Sequence, residues 1–302
     1  MNDFALLQDN LGDNLKRDVI LAPYTTFNIG GPAQYFYNAT NPRELIKAYD
    51  LAAKNDIRFF ILGGGSNVLF ADEGYAGLII RDGTGETLID GDTITAQAGV
   101  AYDRLVDIAT EHSLAGLEFA AGIPGNVGGA VYGNAGAFGG SIADILTSAV
   151  IYDPVSGVKI VDADYFKFAY RHSGLKSKFE LILSVSLKLS SGEKSQIADK
   201  VNEHRQLRKT KHPDYKVQGC AGSVFKNIKE PELLPAGKLL EEAGVRGMSV
   251  GGAEIYHKHC NIIVNAGSAT ASDVKQLAKM MRQKVKDKFN IDLEYEILMI
   301  NN

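Results

Sequence analysis

The spacing of apolar positions along the chain predicts short alternating strands and helices. Leu45, Ile46, Tyr49, Ala52 and Ala53 recur at helical spacing. Asn41-Pro42 precedes them, an N-cap residue followed by a first-turn proline. Arg58–Leu62 and Gly77–Arg81 are strand-like runs, and the first drops into Gly63-Gly64-Gly65-Ser66-Asn67. Thr93–Ala98 alternates as a strand. Tyr102 to His112 is helical, with Leu105, Val106, Ile108 and Ala109 on one side. Ala149–Tyr152 is a strand ending in the turn Asp153–Gly157. Leu181, Leu183, Val185, Leu187 and Leu189 alternate with polar residues, the pattern of a half-buried strand. Strands and one helix are expected in the first 80 residues, with no helix before Asn41.

A boundary is predicted between residues 190 and 215. Ser190-Ser191-Gly192 breaks the strand, and a polar helix follows from about Glu193 to Lys209 on Ile197, Val201 and Leu207. It ends in a basic run, Arg205 to His212. Beyond it, Pro235–Ala243 reads as a helix closed by Gly244. Ser272–Phe289 reads as a helix with a serine N-cap and Val274, Leu277, Ala278, Met281 and Val285 on one face. Leu293–Met299 reads as a last strand with Glu296 on its polar face.

Composition changes this picture at one point. The 302 residues carry 32 Lys+Arg against 36 Asp+Glu, a net charge of −4, which removes the general basic footprint of a nucleic-acid binder. Two cysteines are too few for a disulfide scaffold. No apolar run approaches the ~20 residues of a membrane helix. The polar, acidic start has no signal-peptide pattern, so a cytoplasmic protein without a membrane partner is expected. Glycine is the exception. Of 32 glycines, nine fall between Gly116 and Gly140, and Gly63–Gly65 forms a second cluster. The gaps in the longer cluster are filled by Ala, Val, Ile and Phe, whereas a flexible linker would be polar. Either backbone packs closely on backbone there, or it passes close to a large flat ligand with a pyrophosphate. Val68 stands where the third glycine of a dinucleotide fingerprint would fall, and no Walker lysine follows.

Other candidates are single residues. Arg171 is a fixed cation suited to a carboxylate or enolate. Ser223 sits in a glycine turn before Lys226-Asn227, where capping is the ordinary role of a serine. His257 and His259, beside Cys260, lack a third ligand, so no metal is expected.

Taken together, the motifs resemble the UDP-N-acetylenolpyruvoylglucosamine reductase family. The matching stretches are Tyr24–Gly31, Gly63–Asn67, Gly122-Ile123-Pro124-Gly125 through Gly129-Ala130, Asn134–Ala137, Tyr170–Ser173, Gly222–Asn227, Gly251-Gly252-Ala253 and Leu293–Glu296. They stand in family order across nearly the whole chain. The resemblance implies an α+β fold: a vanillyl-alcohol oxidase-like two-part FAD-binding region followed by a C-terminal α/β substrate-binding domain. It implies segments 1–81, 82–205 and 206–302, with the last strand free to return toward the FAD region.

The implied reaction belongs to peptidoglycan precursor synthesis, and so to cell-wall biogenesis, cell shape and division. NADPH reduces non-covalently held FAD. The enolpyruvyl ether of UDP-N-acetylglucosamine then receives hydride at C3 and a proton at C2. Carried over by motif, Ser223 resembles the proton donor, and Arg171 with Glu296 the pair stabilising the enol. Tyr170, Lys211 and Asn227 look like substrate-binding residues, Lys211 for the diphosphate. Tyr24, Thr26, Gly63, Gly64, Gly65, Ser66, Asn67, Gly122, Ile123, Pro124, Gly125, Gly128, Gly129, Ala130, Asn134 and Gly136 resemble the FAD-binding set. Tyr295 stands where the family commonly has proline. The short passage from Tyr170 to Leu181 implies the subgroup without an inserted tyrosine loop. A monomer is expected. Two alternatives stay open on the residues: another FAD oxidoreductase on the same scaffold, or a non-catalytic nucleotide-sugar binder.

Overall fold

The computed structural model describes residues 3–229 and 233–302. The chain forms two compact units, each discontinuous in sequence. Unit 1 is residues 1–16, 35–64 and 77–208; unit 2 is residues 17–34, 65–76 and 209–302.

Unit 1 is built on a five-stranded antiparallel sheet. Its order is Gly157–Asp162, Leu146–Asp153, Leu181–Lys188, Thr93–Gln97, Thr87–Asp90. A helix missed by the pattern analysis, α1 (Asp3–Leu11), buries Leu7 and Leu11 one turn apart. It joins α2 (Pro42–Lys54) on a core containing Leu45, Tyr49, Tyr152, Leu181 and Leu183. The cap at α2 is as expected: the Asn41 side chain accepts from the Glu44 N–H at 3.1 Å. A second core gathers α3 (Tyr102–Glu111), α4 (Val127–Gly133) and the start of α5 (Lys194–Lys211) around Ile94, Ile151, Val185 and Leu187.

The strand Leu181–Lys188 therefore does not present one apolar face to one core. Ser184 pairs with Val150 while Ile182 pairs with Ile151, leaving Leu183 as an extra residue. Such a bulge turns the strand by one position. Leu181 and Leu183 face the α1/α2 core, and Val185 and Leu187 face the other. Leu207, expected as a contact of α5, is 39% exposed.

Unit 2 holds α6 (Ala236–Glu242), α7 (Ala271–Phe289) and the three-stranded sheet Ser249–Val250, Ala253–Ile255, Ile263–Asn265. The cap of α7 is Thr270, two residues before the expected serine cap. Thr270 and Asp273 form a capping box, and the Asp72 carboxylate accepts from Ala271 N–H at 2.6 Å and Ser272 N–H at 3.0 Å. Ser272 is thus inside the first turn, because three other polar side chains already serve the free amides. The last strand is shorter than expected, Leu298–Ile300, and pairs in parallel with Val68–Phe70. Residues 293–297 run extended beside residues 224–226 instead, with Lys226 N–H on Glu294 O at 2.9 Å and Glu296 N–H on Val224 O at 2.8 Å. The alternation there is real, with Leu293 and Ile297 buried, but only Tyr295 makes a ladder contact, to Phe225.

Asp72 is a second cap on a helix that already has a capping box. Asp72→Ala is expected to lower stability by about 1–2 kcal/mol, read as a lower denaturant midpoint with an unchanged slope.

Candidate active site

In unit 1 the two glycine clusters meet. A Cβ on Gly64 would lie 2.5 Å from the Gly125 Cα, and one on Gly63 would lie 2.5 Å from the Asn126 Oδ1. Gly64 is therefore required by close approach of main chain to main chain, and Gly63 by the Asn126 side chain packed against it. Of the two readings open for these clusters, close packing of backbone on backbone is what the structure shows at Gly64 and Gly125. Asn126 caps α4, its Oδ1 accepting from Gly129 N–H at 2.9 Å. The next amides are taken up by the neighbouring strand end, Val127 N–H on Val100 O at 2.9 Å and Gly128 N–H on Ala98 O at 2.8 Å. A Cβ on Gly128 would meet the Ala98 Cβ at 2.9 Å.

Gly122, with φ +73°, opens the segment Gly122-Ile123-Pro124-Gly125. Both of its backbone polar groups are held by charged side chains. Its N–H donates to Asp103 Oδ1 at 2.7 Å, and its C=O accepts from Arg208 Nε at 3.0 Å. Arg205 joins the clamp, donating to Asp103 at 2.9 Å and Asp107 at 2.7 Å. Sequence reasoning missed Asp103, which shows only as an acidic residue in the first turn of α3. Asn134 ends α4 in the left-handed region, φ +46°. Its side chain is engaged with protein: Oδ1 accepts from Ala143 N–H at 3.2 Å, and Nδ2 donates to Ala169 O at 2.9 Å. Tyr170 and Arg171 are half-buried in the turn that follows Ala169.

Unit 2 contains Gly65, with φ +61°, whose O accepts from Thr26 N–H at 3.0 Å. A Cβ there would sit 2.1 Å from the Tyr24 O, so Tyr24–Thr26 depends on this glycine. Thr26 Oγ1 donates to Cys220 O at 2.7 Å. The segment bearing Ser223 is set by a buried asparagine that the pattern analysis also missed. Asn261 is 2% exposed. Its O accepts from Val224 N–H at 2.8 Å, its Oδ1 from Phe225 N–H at 2.9 Å, and its Nδ2 donates to Phe225 O at 2.8 Å. The only sequence signal was a polar residue opening the apolar run Ile262-Ile263-Val264. Glu296 is half-buried beside this segment, and its O accepts from Asn67 Nδ2 at 3.1 Å. Ser223 and Glu296 thus lie on adjoining backbone segments of one unit; Arg171 lies in the other. Tyr295, the departure from the family's proline, stacks on Phe225 with ring centroids 5.0 Å apart.

Asn227 accepts from Ala236 N–H at 3.0 Å at the start of α6. Lys211, the last residue of α5, is exposed. Burial holds the His259 imidazole below its ordinary pKa, and the nearby Lys211 ammonium adds to this. His259 is then neutral at pH 7. Among the described residues no group of three or more His, Cys, Asp or Glu could hold a metal ion. A recess of about 440 Å³ beside Phe59, Phe60 and Phe179 contains none of these residues.

Residues 212–300 match the model of the UDP-N-acetylenolpyruvoylglucosamine reductase C-terminal domain, and residues 33–164 match that of an FAD binding domain. A UDP-N-acetylenolpyruvoylglucosamine reductase from Clostridium tetani is 36% identical over 97% of this chain and 95% of its own length. The chain belongs to this reductase family. A second member, from Caldanaerobacter subterraneus, is also 36% identical, over 98% of each chain. The crystal structure of the Thermus caldophilus reductase superimposes with a TM-score of 0.79 at 32% identity, covering 95% of this chain and 98% of that one. A Phl p 4 variant, a glucose oxidase, shares the fold over 64% of this chain and 45% of its own, with a TM-score of 0.52 at 14% identity. The α+β architecture with a vanillyl-alcohol oxidase-like FAD region and a C-terminal reductase domain is that of the family. No helix among the described residues is long and apolar enough to cross a membrane.

The paired glycine loops fit FAD, the family's cofactor. They lie inside the matched FAD-binding stretch, and at Gly64 and Gly125 no side chain stands between their main chains. Gly64→Ala places a Cβ against backbone that cannot swing away. It is expected to lower bound flavin at least about tenfold, measured as the flavin-to-protein absorbance ratio after purification. Gly85→Ala, with open space around the new Cβ, leaves the ratio unchanged.

Proposed function

We propose that the protein reduces the enolpyruvyl ether of UDP-N-acetylglucosamine to UDP-N-acetylmuramate, with NADPH as the electron source. Family membership carries the reaction class. The single structural observation that best supports it is the Ser223 turn, fixed by the buried Asn261 and flanked by the backbone of Glu296. FAD, when bound, supplies hydride transfer between NADPH and the enolpyruvyl carbon.

The chain's own residues supply the rest. Gly63–Gly64 and Gly122–Gly129 hold the cofactor by main chain in unit 1, and Tyr24, Thr26 and Gly65 contribute from unit 2. Segments 1–81 and 82–205 carry the FAD-binding role in this reading, and 206–302 carries substrate binding. Lys211 and Asn227 bind the nucleotide-sugar, Lys211 through its charge and the diphosphate. Arg171 pairs with the substrate carboxylate, which polarises the double bond toward an enolate. The Ser223 hydroxyl gives its proton to C2 as hydride reaches C3, so the double bond is reduced by one hydride and one proton. A serine hydroxyl is a weak acid, and a carbanion-like C2 is a base strong enough to take its proton. Glu296, half-buried on the adjoining segment, stabilises the charge shift. The reaction places the protein in peptidoglycan precursor synthesis in the cytoplasm.

Rapid mixing separates the two half-reactions. In Ser223→Ala, reduction of the flavin by NADPH should stay within about twofold, while reoxidation by the enolpyruvyl substrate falls at least about a hundredfold. Normal reoxidation would remove Ser223 as the acid. A purified protein without flavin absorbance that still binds UDP-sugar would favour the non-catalytic reading. Reoxidation by oxygen alone, with no response to the enolpyruvyl substrate, would favour another oxidoreductase.

A further inference from the structure

Arg171 has φ +53°, a backbone conformation that residues with a Cβ rarely adopt. It sits in a two-residue turn. Ala169 N–H donates to His172 O at 3.1 Å and His172 N–H donates to Ala169 O at 3.0 Å. A residue in this region persists only where its surroundings over-determine it, and such residues mark sites where geometry is being held.

Three side chains outside the turn do the holding. Lys176 Nζ donates to the carbonyl of Arg171 itself at 2.8 Å, and it lies 5.6 Å over the Tyr132 ring. Asn134 Nδ2 donates to Ala169 O at 2.9 Å, at the residue where the turn closes. Ser173, fully buried, donates from Oγ to Tyr132 O at 2.8 Å. Tyr132 and Asn134 are the penultimate residue and the C-cap of α4, the helix that begins at the Asn126 cap. The left-handed peptide of Arg171 is therefore tied at three points to one end of a single short helix. None of the three contacts involves the guanidinium, which lies 5.3 Å from the centre of the Tyr170 ring.

We propose that Lys176, Asn134 and Ser173 are positioning residues that hold Arg171 in its left-handed conformation and so aim its guanidinium. The proposal rests on the reading of Arg171 as the partner of the substrate carboxylate. It assigns Asn134 a part different from the cofactor contact that the motif implies.

Lys176→Met keeps most of the side chain and removes the donor. In the FAD-loaded enzyme, reoxidation by the enolpyruvyl substrate should fall about tenfold or more, while NADPH-driven reduction stays within about twofold. Lys176→Arg, which restores a cationic donor, should recover most of the loss. Ser173→Ala should act in the same direction. Independently of activity, amide hydrogen exchange at His172, whose N–H closes the turn, should quicken about tenfold in Lys176→Met and in Asn134→Ala. Unchanged exchange at His172 in Lys176→Met overturns the proposal, as does an equal fall in both half-reactions. Should Asn134→Ala not fold, Lys176→Met and Ser173→Ala decide the matter. If the wild-type enzyme showed no enolpyruvyl-dependent reoxidation, the functional reading would fail. The exchange measurement would then still decide whether the turn is held as proposed.

Discussion

The approach of Gly64 to Gly125 is the contact on which the cofactor region of unit 1 depends. No side chain takes part in it, so nothing can rotate away to accommodate an added atom. Each loop is thereby fixed by the other. The first continues the strand Phe59–Leu62, which pairs in parallel with Tyr75–Asp82. The second is anchored at α3 and α4 by Tyr102 N–H on Gly125 O and by Val127 N–H on Val100 O. The absence of a Cβ on either loop is what lets the two main chains approach this closely.

Charge in this region is arranged to hold the loop. The basic run at the end of α5 invites a reading as a field for anionic nucleotides. Arg205, however, is engaged with Asp103 and Asp107, and Arg208 donates to the Gly122 carbonyl. Part of the run therefore fixes the shape of Gly122–Gly125. Lys211 lies at the exposed end of the same helix, and neutral His259 beside it adds no second charge. An acidic protein can thus carry a local cationic end without excess positive charge overall.

Much of this was legible in the sequence, for identifiable reasons. Helices α2 and α3 follow from local periodicity and, for α2, from Asn41, since capping and amphipathic spacing act within a few residues. The glycine clusters were legible as positions, and their mutual contact was not. Pairing between residues sixty apart has no local signature. The same holds for the bulge at Leu183, which an alternating pattern hides, and for Asp72, which caps a helix two hundred residues away in sequence. Ser272 has the chemistry of a cap, but tertiary partners for the amides set the helix start at Ala271. Among site residues, those with motif neighbours were found. Asn261 and Asp103, which act only through hydrogen bonds to distant backbone, were not.

The parallel pairing of Leu298–Ile300 with Val68–Phe70 fixes an order of events during synthesis. Leu69 and Phe70 are completely buried, and Leu69 belongs to the core of unit 2. Most of that core lies beyond residue 220, and the strand partner follows Phe70 by more than two hundred residues. Chains elongate at about 5–20 residues per second. The strand Val68–Phe70 therefore waits at least about ten seconds for its partner. Its sequence neighbours, Phe59–Leu62 and 77–82, belong to unit 1, whose segments end at residue 208. A polymerising chain thus carries a short apolar strand whose native partner does not yet exist.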